Sequence, residues 1–379
     1  MYIQRLISNQ LVRKLKEDRR VIILYGARQV GKSTLVQHIL PQLSYRTLSV
    51  DAQERKYLDV LSSTDVDKIK SLVSGYDLVV IDEAQQIPNI GINLKLIHDH
   101  IPQIKVLVTG SSSFDLSNKI SEPLTGRYWS YVLYPISIAE IAHLKNNFAL
   151  NQQLENRLIF GSYPEIFNIQ SYSDRKEYLN KLCSSYLFKD ILQIAHIKNS
   201  NKLNDLLKLL AFQVGQEVSL SELGIRLNMS KDTISHYIDL LEKTFVVFRV
   251  RGLSRNLRKE VYKMNKIYFY DLGISNSIID TIKPLNERND VGQLWENFMM
   301  IERLKQNAYS QHNFSSYFWR LHTGAEIDYI EEAAGIMHGY EFKWNTKKSK
   351  CPKSWSAAYP GSTYEVINQE NYLSFVGVS

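Results

Sequence analysis

Residues 21–34 constrain this chain more than any other stretch. VIILY, residues 21–25, is a short apolar run of strand-favouring residues. It leads into GARQVGKST, residues 26–34, and then into LVQHIL, whose apolar spacing is helical. Strand, glycine loop and helix is the setting in which G-x-x-x-x-G-K-[ST] cradles phosphate. Gly26 permits a tight turn, and Gly31 lets backbone N–H groups come close to phosphate oxygens. The helix starting near Lys32 points the positive end of its dipole at the same place. Gly26, Ala27, Arg28, Gln29, Val30, Gly31, Lys32, Ser33 and Thr34 are therefore the candidate nucleotide-binding set, with ATP as the expected ligand. Lys32 is expected to reach the β and γ phosphates and Ser33 to ligate Mg²⁺.

A second run, DLVVIDEAQ at 77–85, places four apolar residues, Leu78 to Ile81, before Asp82-Glu83. Such a run reads as a buried parallel strand ending in two carboxylates. Asp82 is then a second Mg²⁺ ligand, and Glu83 is placed to polarise the attacking water. A third strand, KVLVTGSSS at 105–113, fits between the other two and brings Ser111 or Thr109 near the γ phosphate. Arg127, in PLTGRYW at 123–129, is a candidate arginine finger. Sequence leaves open whether it serves its own chain or a neighbour.

GARQVGKST, LVVIDEAQ, LVTGSSS, LTGRYW and the following LYPISIAEI resemble an AAA-type bacterial and archaeal ATPase family that carries a C-terminal domain of unknown function. GSYPEI at 161–166 resembles that family's Gly-Gly-Tyr-Pro turn, with Ser162 in place of the second glycine. The resemblance runs to about residue 345. It implies ATP binding and hydrolysis, and it implies no particular substrate.

At 379 residues, 44% hydrophobic and 22% charged, the chain has room for two or three globular domains and no sign of disorder or fibrous repeats. No apolar run approaches the length of a membrane helix. The N-terminal twenty residues are charged throughout, without a signal-peptide core. Cys183 and Cys351 are the only cysteines, too few for a disulfide framework or a cysteine-based zinc site. They read as structural thiols in a cytoplasmic protein. The net charge of +7 permits an anionic partner.

Residues 136–200 read as helix, including LNKLCSSYLFKDILQIA, and are expected to pack as a lid against the ATPase core. Asp190 and His196 within it carry no assigned chemistry. Next come KLNDLLKLLAFQVG, SLSELGIRLNM and SKDTISHYIDLLEKT, three amphipathic helices with Ser219 and Ser230 as N-caps of the second and third. FVVFRVRGLSRN and KIYFYD read as wing strands, which completes a winged helix-turn-helix order. On that reading Lys231, Thr233, Ser235 and His236 face bases or phosphates. From Arg249 to Lys266 stand seven basic residues (Arg249, Arg251, Arg255, Arg258, Lys259, Lys263, Lys266) against Glu260 alone. Such clustering is the footprint of phosphate contact.

In the last third, LWENFMMIERLKQN is an amphipathic helix bearing Glu296. YFWRLH, EIDYIEE and HGYEFKWN read as strands, and STYEVIN as the strand that finishes the sheet. Glu, then Asp, then Glu-x-Lys on helix and strands resembles the PD-(D/E)XK nuclease core. Residues two apart on a strand share a face, so Glu341 and Lys343 project together, and Asp328 meets Glu341 across an antiparallel ladder. Two such carboxylates repel unless a cation lies between them, and Mg²⁺ is the expected one. Asp328, Glu341 and Glu296 are thus candidate metal ligands. Lys343 is the candidate that orients or deprotonates water, with Glu296 alternatively holding Lys343. Arg320 and His322 are nearby without a role.

The expected architecture is α/β: a P-loop NTPase parallel sheet (1–135) with a helical lid (136–200), a winged helix-turn-helix (201–283) and a restriction-endonuclease-like α/β domain (284–379). The expected function is an ATPase that couples nucleotide to nucleic acid, DNA more than RNA, with homo-oligomers as a further partner class and no membrane. The rival is a non-cleaving regulatory ATPase that uses the same domains for DNA or protein contact.

Overall fold

The structure is a computed structural model that describes residues 2–111, 123–187, 200–253, 265–310, 314–346 and 349–378. The expectations placed on Asp190, His196, Arg255, Arg258, Lys259, Glu260 and Lys263 fall outside these residues. The chain divides into two compact units, one of residues 2–134 with 243–245, the other of 135–242 with 246–378.

The first unit is built on a five-stranded parallel sheet of β1 (Val21–Tyr25), β2 (Thr47–Asp51), β3 (Leu78–Asp82), β4 (Lys105–Gly110) and β5 (Tyr128–Val132), in the order β2-β3-β4-β1-β5. Every residue of β1 is buried, as a strand covered on both faces requires. Leu78 to Ile81 of β3 are likewise buried, and only Asp82 emerges at the carboxyl end. β2, at one edge, shows alternating burial instead. Helices Ser8–Glu17, Lys32–Ile39, Arg55–Leu61, Val66–Val73 and Ile90–His100 belong to the same unit. β4 lies between β1 and β3, so the carboxyl ends of all three strands open on one edge. In an open parallel sheet this edge is where ligands bind.

The second unit contains a seven-stranded mixed sheet of β6 (Glu217–Val218), β7 (Val247–Gly252), β8 (Asn265–Phe269), β9 (Ser315–Arg320), β10 (Glu326–Ala333), β11 (Ile336–Phe342) and β12 (Thr363–Ile367). Their order is β12-β11-β10-β9-β7-β8-β6. The expected wing strands β7 and β8 pair antiparallel, but β7 also pairs in parallel with β9 through Arg251↔Tyr317 and Gly252↔Phe318. One sheet therefore runs across the boundary expected at 283/284. The helix Val291–Ser310 buries Trp295, Phe298, Met299 and Ile301.

The three expected helices are present at Ser200–Phe212, Leu220–Leu227 and Lys231–Lys243. Ser219 accepts the Glu222 N–H at 3.3 Å and Ser230 accepts the Thr233 N–H at 3.1 Å, so both caps form.

The stretch expected as a lid on the ATPase core is anchored inside the second unit. Asp271 accepts the Ser162 N–H at 2.6 Å, and the Asn276 amide donates to the Leu158 and Ile159 carbonyls at 2.9 and 2.8 Å. The reason is local. A Cβ on Gly161, at φ +72°, would collide with the Asp271 carboxylate, and one on Gly273 with the Phe160 carbonyl. Two glycines thus let the Asp271 side chain seat on the GSYPEI turn and the backbone at Gly273 approach that of Phe160. No helix among the described residues is long and apolar enough to cross a membrane.

Candidate functional site

The glycine loop leaves the carboxyl end of β1 as the sequence requires. A Cβ on Gly26 would stand 2.5 Å from the Leu133 carbonyl oxygen, so the backbone passes where only glycine fits. Gly31, at φ +97°, turns the chain into the helix Lys32–Ile39, and the exposed Gln29 also has positive φ. Lys32 is only 5% exposed. Its ammonium donates to the Gly26 and Ala27 carbonyls at 2.9 and 3.1 Å and stands 4.0 Å from Glu83. Arg28, Val30 and Thr34 complete the loop and the first helical turn, Thr34 exposed and Val30 buried.

Buried Arg5 was not expected at this site. Its guanidinium donates to the Val30 carbonyl at 3.1 Å and to that of Tyr134, which ties the loop to the segment after β5. Nothing in the sequence signals this, because both partners are backbone oxygens that any residue supplies.

The carboxylates arrive from β3. Ser33 donates to Asp82 at 2.7 Å, and Asp82 also accepts the Thr109 hydroxyl from β4. Thr109 in turn accepts the Glu83 N–H at 3.2 Å. Glu83 adopts φ +52°, a conformation that costs a non-glycine residue about 1 kcal/mol and is typical of functional turns. The Gln85 amide donates to Glu83 and, at 3.0 Å, to Ser111. Both sensing candidates are therefore present with different jobs: Thr109 fixes Asp82 and the Glu83 backbone, while Ser111 reaches the Glu83 side chain through Gln85.

Arg127 is elsewhere. It precedes β5, whose Tyr128 pairs with Val21 while Val132 pairs with Tyr25. The phosphate loop follows Tyr25, so Arg127 sits at the opposite edge of the sheet, roughly 16 Å along the strand. There it pairs with Asp99 at 2.9 Å. Within one chain it is remote from the loop.

In the second unit the acidic candidates do meet, around an unexpected partner. Lys266, on β8 and 1% exposed, places its ammonium 2.6 Å from Glu326, 3.2 Å from Glu296 and 3.8 Å from Asp328. Tyr268, two residues on and sharing its face, donates to Glu296 at 2.7 Å. Asp328 accepts the Phe342 N–H at 2.9 Å. The β10–β11 register, Tyr329↔Tyr340, sets Asp328 opposite Glu341 when carried one residue further. Glu341 itself pairs with Lys343 at 2.6 Å. Glu296 thus binds Lys266 and Tyr268 in the place where Mg²⁺ or Lys343 was expected.

Burial drives these groups. It pushes Glu296 and Asp328 above the ordinary carboxylate range, against the pull of Lys266. It raises Glu341 as well, with the Asp328 charge adding to it. Burial alone would lower Lys266, but the charges of Glu296, Asp328 and Glu326 outweigh it and hold the ammonium above its usual value. Among the described residues, no group of three or more His, Cys, Asp or Glu is placed to hold a metal ion. The cluster does not fit Mg²⁺ because a protein cation already fills it.

The basic wing is also partly spent. Arg249 is paired with Asp239 and Glu242, both on the helix Lys231–Lys243, and Lys266 is buried. Arg251 remains exposed, as do Lys231 and His236, while Thr233 and Ser235 are half-buried.

A glycine loop at the carboxyl end of a central parallel strand, with a lysine in the loop and a Ser–Asp pair beside it, defines a P-loop nucleotide-binding domain. Residues 18–142 match the family described as AAA domain. Residues 151–284 and 291–375 match two domains of unknown function, DUF8612 and DUF4143. The chain is 28% identical over 346 residues to an uncharacterised protein of Mycobacterium tuberculosis, across 90% of this chain and 74% of that one. It is 26% identical over 374 residues to an uncharacterised protein of Haemophilus influenzae, across 92% and 88%. It is similar in fold to a Walker-type ATPase of Pyrococcus abyssi, with TM-score 0.51 and 15% identity over 73% of this chain and 96% of that one. The N-terminal unit is an AAA-type, ATP-binding P-loop ATPase domain.

Proposed function

We propose that the protein hydrolyses ATP with Mg²⁺ in its N-terminal unit and uses the nucleotide cycle to govern how its C-terminal unit engages nucleic acid, DNA rather than RNA. The observation that carries this reading is the convergence of Lys32, the Ser33–Asp82 pair and Glu83 at the carboxyl edge of β1 and β3. Ser33 and Asp82 supply hard oxygen donors and are the residues that would hold Mg²⁺, which when bound neutralises charge on the terminal phosphates. Lys32, now turned onto loop carbonyls, exchanges them for β and γ phosphate oxygens. Glu83 orients and deprotonates the attacking water, and Gln85 aims it. Arg127 joins the reaction only when a second copy presents it, so a homo-oligomer belongs to this reading.

For nucleic acid, the winged-helix reading rests on the order of the three helices and β7–β8, with Lys231, Thr233, Ser235 and His236 on the third helix. The rival reading, a non-cleaving regulatory ATPase that uses these domains for DNA or protein contact, gains support on its protein side from the internal pairing of Arg249, which removes one charge from the phosphate-facing set. The two separate by experiment. Phosphate release and nucleotide binding are both lost in Lys32→Ala, whereas Glu83→Gln binds ATP and does not turn it over. If wild-type protein takes up no ATP analogue in a titration, the whole reading fails. DNA affinity that falls steeply with salt supports the nucleic-acid reading, and a flat salt response supports the protein partner.

A further inference from the structure

We infer that Lys266 takes the place of a divalent metal in the C-terminal unit, so that Glu296, Glu326 and Asp328 form a lysine-filled centre and not a metal-dependent nuclease site. Position comes first. Lys266 lies in a strand paired on both sides, opposite Val250 of β7 and Glu217 of β6, so its Cα is fixed. Its ammonium stands 5.4 Å from the centroid of the Phe318 ring, an apolar wall on that side of the cluster. Vacating the cluster would leave a buried charge unpaired, which is far costlier than keeping the pair.

The carboxylates are equally committed. Glu326 stands within 3.8 Å of Arg320 as well as bonding to Lys266. Asp328 spends one oxygen on the Phe342 N–H. Glu296 takes the Tyr268 hydroxyl and packs so closely on Gly215 that a Cβ there would stand 2.9 Å from its carboxylate. Mg²⁺ demands near-octahedral oxygen at about 2.0–2.1 Å and keeps several waters. It would have to enter a site whose centre holds the ammonium of Lys266, a residue only 1% exposed. Lys343, the residue expected to assist water, is tied to Glu341. Phosphodiester cleavage by a bound divalent ion is thereby denied its cation and its open coordination positions. This inference does not depend on ATP turnover.

The test uses the full-length, nucleotide-free protein and Mn²⁺ as the probe, followed by calorimetry and by the electron paramagnetic resonance of free Mn²⁺. In the wild type we expect no Mn²⁺ uptake that is sensitive to Asp328→Asn or to Glu326→Gln. In Lys266→Met we expect a Tm at least about 5 °C lower, recovered in part by millimolar Mn²⁺, with uptake of one Mn²⁺ that Asp328→Asn removes. One Mn²⁺ bound by the wild type and lost in Asp328→Asn overturns the inference, as does a folded Lys266→Met that still takes up none. If Lys266→Met does not fold, the comparison of wild type with Asp328→Asn and Glu326→Gln decides alone.

Discussion

Gln85 closes the LVVIDEAQ run with no role expected of it, yet its amide joins Glu83 to Ser111. A carboxylate that orients water works only when aimed, because proton transfer needs hydrogen-bond geometry before it needs a suitable pKa. Gln85→Ala is therefore expected to lower kcat roughly tenfold, about 1.4 kcal/mol on the barrier, with the affinity for an ATP analogue nearly unchanged. Steady-state phosphate release beside equilibrium nucleotide binding reads that split, and a loss of both together would mean that Gln85 only supports the fold. Lys32, Ser33, Asp82 and Glu83 were legible in the sequence because each sits in a contiguous run whose strand–loop–helix order fixes its place. Arg5 was not legible, since its partners Val30 and Tyr134 lie 25 and 129 residues away and contribute only carbonyls. Lys266 was misread for a related reason. A basic residue in a basic stretch looks like phosphate-facing charge until the fold brings Glu296, Glu326 and Asp328 around it.

At the level of elements, strand and helix periodicity told which segments form and what each buries, but not against which neighbour. β7 and β8 read correctly as an adjacent pair, whereas the pairing of β7 with β9 depends on contacts some 66 residues apart, as Arg251↔Tyr317 shows, and no local pattern encodes it. The turn at 161–166 is a similar case. Its resemblance was visible, while its seat on Asp271 was not. Gly161→Ala is expected to destabilise the second unit by about 3 kcal/mol or more, from positive φ and collision with Asp271 together, as measured by chemical denaturation. Asp271 adds a pH signature. Burial raises its carboxyl to about 6, opposed by the Ser162 N–H, the Lys305 charge and the N–H groups of Ile274 and Gly273. The unfolded chain releases that proton near pH 4. The stabilising contribution is thus whole below about pH 4 and lost as pH rises through about 6, a change on the order of 3 kcal/mol. Wild-type stability measured relative to Asp271→Asn should fall over that window. A flat difference would show that the carboxyl stays ionised throughout.

For the whole molecule, the decisive fact is that Arg127 and the phosphate loop occupy opposite edges of one sheet. If Arg127 is only a surface ion pair with Asp99, then Arg127→Ala and Asp99→Ala change ATP turnover by equal and small factors, because an exposed pair contributes about 0–1 kcal/mol. If it serves the site of a second copy, three results follow that a single chain cannot give. Specific activity rises with protein concentration. Arg127→Ala loses at least about tenfold in kcat, since a trans arginine is worth roughly a thousandfold or more where it has been measured in other phosphoryl-transfer proteins. Mixing Arg127→Ala with Lys32→Ala, the first impaired and the second inactive by itself, restores part of the turnover, because the first keeps an intact loop and the second keeps an intact arginine. We expect the second pattern. The run PLTGRYW marks the arginine, but the sheet register is what confines it to this role, since β5 must start where β1 starts for Tyr128 to pair with Val21. Equal activity of Arg127→Ala and wild type across a hundredfold range of concentration would remove the arginine from the reaction and leave the ATPase site complete within one chain.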